Sequence, residues 1–146
     1  MEKPVILRWT EAHRFAFRFK QRVVRAMVPI RTQGAYLLLS GENPLYIGRS
    51  DHCVRSRLTG HPLLGIATHF LWEPCNSSVR AFCLEAFWYH RLAGELGGLN
   101  LIHPASPTGS GLSCPFCSMD DEAGLTDALR RFHAESQYAS VAGTRE

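Results

Sequence analysis

The sequence predicts an α+β fold, because segments typical of two strands, a helix, a third strand and a second helix follow one another. Residues 34–39 and 45–48 are apolar segments separated by a turn of Ser, Gly, Glu, Asn and Pro, which is the pattern of a β-hairpin. Residues 53–60 form a predicted helix that ends at a glycine. Residues 67–72 form a predicted strand, and two serines can cap the strongest helix, 79–93.

One further helix is predicted at each end of the chain. Basic and apolar residues recur at steps of three and four over residues 10–27, which indicates an N-terminal helix. The sequence leaves open whether residues 5–9 form a short strand. Residues 103–118 are rich in Pro, Gly and Ser and form a predicted loop, and a C-terminal helix follows at 125–137.

Length and composition are those of one globular domain. The chain has 146 residues, of which 45% are hydrophobic and 20% are charged. It contains no uninterrupted apolar stretch of the ~18 residues that a membrane-spanning helix needs. Arginines begin at Arg8, so the N-terminus lacks a signal-peptide core. We therefore expect a cytoplasmic protein with no membrane partner.

Charge is unevenly distributed along the chain. Residues 1–31 hold eight of the sixteen basic residues and two acids, 32–119 hold five of each, and 120–146 hold six acids and three arginines. A basic segment of this kind suits a protein that binds a polyanion on one side. Arg18 and Arg22 of the predicted N-terminal helix are therefore candidate contacts to the backbone of such a polyanion. The alternative is an ordinary solvated helix face.

Two tyrosines stand beside glycines in the predicted hairpin. Gly34 precedes Tyr36 by two residues, and Tyr46 precedes Gly48 by two. Either tyrosine alone could be an ordinary half-buried strand residue. The two tyrosines are followed by arginines and then by a lone acid, Glu85, within an apolar helix. Together these residues indicate a polar site at the sheet edge.

The order Gly-x-Tyr, Tyr-Ile-Gly, Arg, His, Glu resembles the GIY-YIG nuclease family over residues 33–104. The resemblance implies a small antiparallel three-stranded sheet flanked by helices, and a DNA endonuclease that uses Mg²⁺ or Mn²⁺. It implies that Tyr36 helps to activate water and that Tyr46 positions the water or the phosphate. Asn100 falls where family members often keep a supporting asparagine. Residues 1–31 are then a basic extension, and 105–146 a cysteine-containing loop with the C-terminal helix.

Arginine and histidine in the helix after the hairpin are the candidate phosphate ligands. Arg57 and His61 are four residues apart on one helix face, in the R-L-x-x-H order common in the family. The interval from Tyr46 to Arg57 is slightly longer than usual, so Arg55 is a second candidate. His61 could instead accept a proton, and Arg49 could contact the substrate backbone.

Glu85 is the candidate magnesium ligand. Its neighbours in sequence are apolar, so its carboxylate needs a cation, an arginine or several hydrogen-bond donors. The alternative is an ion pair with an arginine at the edge of the core. The position of this acid in the resembled family favours the metal.

Five cysteines and no export signal argue against structural disulfides. Cys114 and Cys117 form a C-x-x-C pair of the type that binds Zn²⁺, but a zinc site needs four ligands. His103, Cys75 or a second subunit could supply the others. The leading hypothesis is thus a DNA endonuclease. The alternatives are a non-catalytic nucleic-acid-binding module and a small zinc-binding regulatory protein.

Overall fold

The computed structural model describes residues 5–7, 14–92 and 103–117. They form an α+β fold with an antiparallel sheet, as the sequence predicts. In chain order the elements are β1 (Val5–Leu7), β2 (Arg14–Arg18), α1 (Gln21–Met27), β3 (Gly34–Ser40), β4 (Asn43–Ser50), α2 (Val54–Thr59), β5 (His69–Pro74) and α3 (Ser78–Arg91). No helix within these ranges is long and apolar enough to cross a membrane.

The sheet has the strand order β1-β2-β5-β3-β4. The three predicted strands are its β5-β3-β4 part, with β3 between its two antiparallel partners and β4 at the edge. The prediction of only three strands is wrong, because β2 pairs with β5 and β1 with β2. The basic N-terminal segment therefore extends the sheet.

The predicted N-terminal helix over residues 10–27 is also wrong. Within its described residues, 14–27, Arg14–Arg18 form strand β2, in which Phe17 pairs with Phe70, and only α1 is helical. The phenylalanines at 15, 17 and 19 also recur with period two, which is the period of a strand. The segment forms a strand because its backbone pairs with β5. The predicted C-terminal helix at 125–137 lies outside the described residues.

The two faces of the sheet carry separate hydrophobic cores. Alternate side chains of β3 point to opposite faces, with Leu37 and Leu39 on one and Tyr36 and Leu38 on the other. Helix α3 covers the first face with an almost completely buried apolar stretch. Helices α1 and α2 cover the second. The predicted tyrosines thus face α2, and Glu85 on α3 lies on the other side.

Candidate functional site

The two tyrosines of the hairpin lie next to each other on the face of the sheet that α2 covers. Tyr36 is paired with Gly48, and Tyr46 is paired with Leu38, two positions further along β3, so the two rings are diagonal neighbours on the same face. Their centroids are 6.3 Å apart, with 22° between the ring planes. A side chain at Gly48 would clash with the Tyr36 hydroxyl, and one at Gly34 with the Glu73 carbonyl. Both glycines therefore allow close approaches that no other residue permits.

His61 lies two residues after the end of α2, so the prediction that it shares a helix face with Arg57 is wrong, and its ring edge lies against both tyrosines. The centroid distances are 5.7 Å to Tyr36 and 4.9 Å to Tyr46. Its Nδ1 accepts a hydrogen bond from the Leu63 N–H at 3.1 Å, so the neutral ring carries its proton on Nε2. Burial, and then the charge of Arg57, lower the pKa of His61. The arrangement makes neutral His61 a hydrogen-bond donor and disfavours the alternative role of proton acceptor.

Arg57 and Arg55 have different surroundings, although only one residue lies between them. Arg57 is exposed and lines an open cleft of about 430 Å³ together with both tyrosines and His61. Arg55 donates from Nε to the Val28 carbonyl at 2.8 Å and from Nη2 to a carbonyl of α1. Arg55 thus joins α2 to the end of α1, and Arg57 is the arginine that faces the cleft.

Glu85 is paired with an arginine. Its Oε1 accepts a hydrogen bond from Arg49 Nη1 at 2.8 Å, and Arg49 Nε donates to Asp51 Oδ1 at 3.0 Å. The Glu85 and Arg49 side chains are only 11% and 13% exposed. Arg49 also lies over the ring of Phe82, 5.3 Å from its centroid. Within the described part of the chain, Oε2 of Glu85 accepts no hydrogen bond.

Burial and ion pairing act in opposite directions on this carboxylate. Burial raises the pKa of Glu85, and the hydrogen bond and charge of Arg49 lower it in part. Burial lowers the pKa of Arg49, but its hydrogen bonds to Asp51 and Glu85 outweigh burial and raise that pKa above the usual range. Arg49 therefore neutralises the charge of Glu85, and the partly exposed carboxylate of Asp51 lies next to the same arginine.

The two parts of the site lie on opposite faces of the sheet, near its β4 edge. Burial, and then the neighbouring Tyr46, raise the pKa of Tyr36; Arg57 lowers that pKa and Glu85 raises it. The pKa of Glu85 in turn responds to the charge of Arg57. These electrostatic interactions between Tyr36, Arg57 and Glu85 act across the edge strand.

A second group of side chains converges where α3 ends. His90, His103, Cys114 and Cys117 each offer one ligand atom, and these four atoms lie within 4.8 Å of one another. This His₂Cys₂ group could hold a metal ion such as zinc. The sequence predicts Cys114 and Cys117 in such a group and suggests His103. The other suggested ligand, Cys75, is buried elsewhere, with its Sγ 3.7 Å from the Glu73 carbonyl.

The other candidate contacts lie apart from the cleft or outside the described residues. Arg18 is on β2 and Arg22 on α1, both exposed, so they do not share a helix face. Asn100 lies outside the described residues. Sequence reasoning missed Asp51 and His90. The spacing H-x12-H-x10-C-x2-C was the available signal for His90.

No family model, no curated protein and no solved structure matches the chain.

Proposed function

We propose that the protein is a metal-dependent endonuclease that hydrolyses phosphodiester bonds in DNA. The observation that supports this most is the convergence of Tyr36, Tyr46, His61 and Arg57 on one open cleft. Two phenols, an imidazole N–H and a guanidinium offer hydrogen bonds and charge to an anion. The resemblance to the GIY-YIG nucleases, carried by the same residues, supports a DNA phosphate as the anion.

Arg57 and His61 are the proposed phosphate ligands. A guanidinium binds two phosphate oxygens at once and opposes the charge that builds up as the bond breaks. His61 donates a further hydrogen bond from Nε2, since Leu63 holds Nδ1 as an acceptor. Arg57 is on the last turn of α2 and His61 follows two residues after the helix ends, and both line the same cleft.

Tyr36 is the proposed proton acceptor for the attacking water. In the free protein its phenol is protonated at neutral pH, because burial and the neighbouring Tyr46 raise its pKa. Arg57 favours the phenolate, but a further positive charge is needed before Tyr36 can act as a base. Tyr46, stacked on Tyr36 and half-buried in the cleft wall, is proposed to position the water or the phosphate.

Mg²⁺ or Mn²⁺ is the proposed source of that charge. Oε2 of Glu85 and the carboxylate of Asp51 lie beside the same arginine and provide the oxygen ligands that such hard cations prefer. When bound, the cation would neutralise charge on the phosphate and favour deprotonation of nearby hydroxyl groups. A site with so few carboxylates suits Mg²⁺, which keeps several of its waters.

Exposed basic residues of α1 are the proposed contacts to the rest of the DNA. Arg22 and Arg25 lie on α1, which packs against the helix that carries Arg57. Replacing Arg22 and Arg25 with glutamine should make the slope of log binding constant against log salt concentration shallower by roughly 0.9 for each lost phosphate contact. Single-turnover cleavage at saturating protein should stay near wild type. An unchanged salt slope would mean that DNA approaches from another side.

Plasmid nicking in the presence of Mg²⁺ or Mn²⁺ tests the proposal directly. Glu85→Gln keeps an oxygen that accepts the Arg49 hydrogen bond but removes the charge, so the fold should survive while cleavage slows about 100-fold or more. Glu42→Gln, in the exposed turn between β3 and β4, is the matched control and should cleave normally. Equal nicking by wild type and Glu85→Gln would exclude Glu85 as a metal ligand in the reaction.

Two other functions make different predictions. A non-catalytic DNA-binding module, favoured by the ion pair that already occupies Glu85, would bind DNA with strong salt dependence and cleave nothing. A small zinc-binding regulatory protein, favoured by the His₂Cys₂ group, would contain zinc and show neither cleavage nor salt-dependent DNA binding.

A further inference from the structure

We propose that His90, His103, Cys114 and Cys117 bind one structural zinc ion, which fixes residues 103–117 to the end of α3. This inference is independent of the proposed nuclease activity. It concerns a different set of side chains from those at the cleft or around Glu85.

Four of the six distances between the ligand atoms match a tetrahedral zinc site. With Zn–N near 2.0–2.1 Å and Zn–S near 2.3 Å, the tetrahedral edges are about 3.3 Å between nitrogens and about 3.6 Å between sulfur and nitrogen. His90 Nε2 and His103 Nε2 are 3.2 Å apart. The Sγ atoms of Cys114 and Cys117 are 3.5 and 3.6 Å from His90 Nε2, and Cys117 Sγ is 3.4 Å from His103 Nε2.

His103 is held in the form that binds a metal. Its Nδ1 lies 2.7 Å from the Pro104 carbonyl oxygen, which can only accept, so Nδ1 carries the proton. The lone pair is therefore on Nε2, the atom that faces His90 and Cys117. Metal-binding histidines usually have such a partner on the other ring nitrogen, because it fixes the tautomer and the ring orientation.

The ligand set identifies the ion. Two thiolates and two imidazoles in tetrahedral arrangement favour zinc among the common metals. In a two-iron cluster with two cysteines and two histidines, the sulfurs and the nitrogens would bind different irons. Here both sulfurs lie within hydrogen-bond distance of the same histidine nitrogen, so they fit one ion. Four protein ligands also leave no open position for a substrate, as in structural zinc sites.

The position of the group in the fold indicates what the ion does. His90 is on the last turn of α3, and the other three ligands come from a segment without helix or strand. Between the two cysteines, Phe116 is fully buried and packs edge-on against Phe87 of α3, with 5.7 Å between ring centroids. An ion at this point would hold Phe116 in the core and fix the helix that carries Glu85.

The first test measures zinc in the untagged protein purified without added metal. We expect one zinc per chain, and X-ray absorption at the zinc edge should give two sulfurs at about 2.3 Å and two nitrogens at about 2.0–2.1 Å. Cys117→Ser and His90→Gln should reduce bound zinc at least tenfold. Cys53→Ser and His52→Gln, the same changes outside the group, should not. A zinc-free folded protein, or a shell without two sulfurs, would overturn the proposal.

The second test measures the structural role by hydrogen exchange in the wild-type protein. Removing zinc with a chelator should increase exchange at least tenfold in peptides covering residues 103–117, and adding zinc back should restore protection. Peptides from β3 and β4 should change much less. If the ligand variants fail to fold, the X-ray absorption spectrum of the wild type at the zinc edge tests the ligand set instead. Unchanged exchange after complete zinc removal would exclude the structural role.

Discussion

Replacing Arg49 with alanine should destabilise the protein strongly, because it leaves Glu85 buried without its cationic partner. Removing one partner of a buried ion pair costs about 3–5 kcal/mol. Both side chains keep slight exposure at 13% and 11%, so we expect the lower end of that range. At roughly 2–4 °C per kcal/mol for a domain near this size, a loss of about 3 kcal/mol lowers Tm by about 6–12 °C.

The same variant should also change the pH dependence of stability. Burial already raises the pKa of Glu85, and losing Arg49 removes the main opposing interaction. A carboxyl group whose pKa is higher in the folded protein binds more protons in the folded state than in the unfolded state. Its contribution to protein stability is therefore present below the unfolded pKa and is lost as pH rises through the folded pKa. The difference between wild type and Arg49→Ala should therefore be larger at about pH 8 than at about pH 5.

Urea unfolding at the two pH values measures both effects, and other titrating groups cancel in the difference. Asp51→Asn is the control, because it removes the more exposed partner of the same arginine and should cost about 1 kcal/mol or less. Adding Glu85→Leu to Arg49→Ala should restore much of the stability, since no buried charge then remains. A loss no larger than that of the control, or a loss independent of pH, would refute the buried-pair argument.

Three further predictions concern the cleft. Arg57→Ala should slow single-turnover cleavage about 10²–10³-fold with little change in Tm, whereas Arg55→Ala should mainly lower the free energy of unfolding, since it loses hydrogen bonds to main-chain carbonyls. Gly48→Ala should cost about 1–3 kcal/mol in urea unfolding by displacing a tyrosine, and Gly60→Ala, with its nearest neighbour 3.5 Å away, should be close to neutral. Burial and then Arg57 lower the pKa of His61, so stability is lost as pH falls below the unfolded value of about 6.5, and His61→Gln should flatten that loss.

The central elements were predictable because their signals are local. The hairpin, the third strand and α3 each have a strong apolar pattern bounded by Gly, Pro or Ser, and the structure shows them within a few residues of the predicted ranges. The N-terminal segment was not predictable in this way. Its residues fit both a helix and a strand period, and pairing with β5 decided between them.

The candidate site was predictable in its residue types but not in its pairings. Tyr36, Tyr46, Arg57 and His61 line one cleft, as their order in the sequence suggested. Nothing local indicated that Arg55 instead binds carbonyls of the neighbouring helix. Two arginines on one short helix have the same intrinsic chemistry, and only the packing of α2 against α1 gives them different partners.

The sequence by itself determined the hairpin, the tyrosines beside glycines and the C-x-x-C pair, because each depends on residues close together in the chain. Only the tertiary structure decided that Glu85 pairs with Arg49, and that His90 joins His103, Cys114 and Cys117. Each pairing connects α3 to a distant part of the chain. The position of such side chains in space depends on how the helix packs against β4 and against residues 103–117, and that packing follows from burial of the whole core.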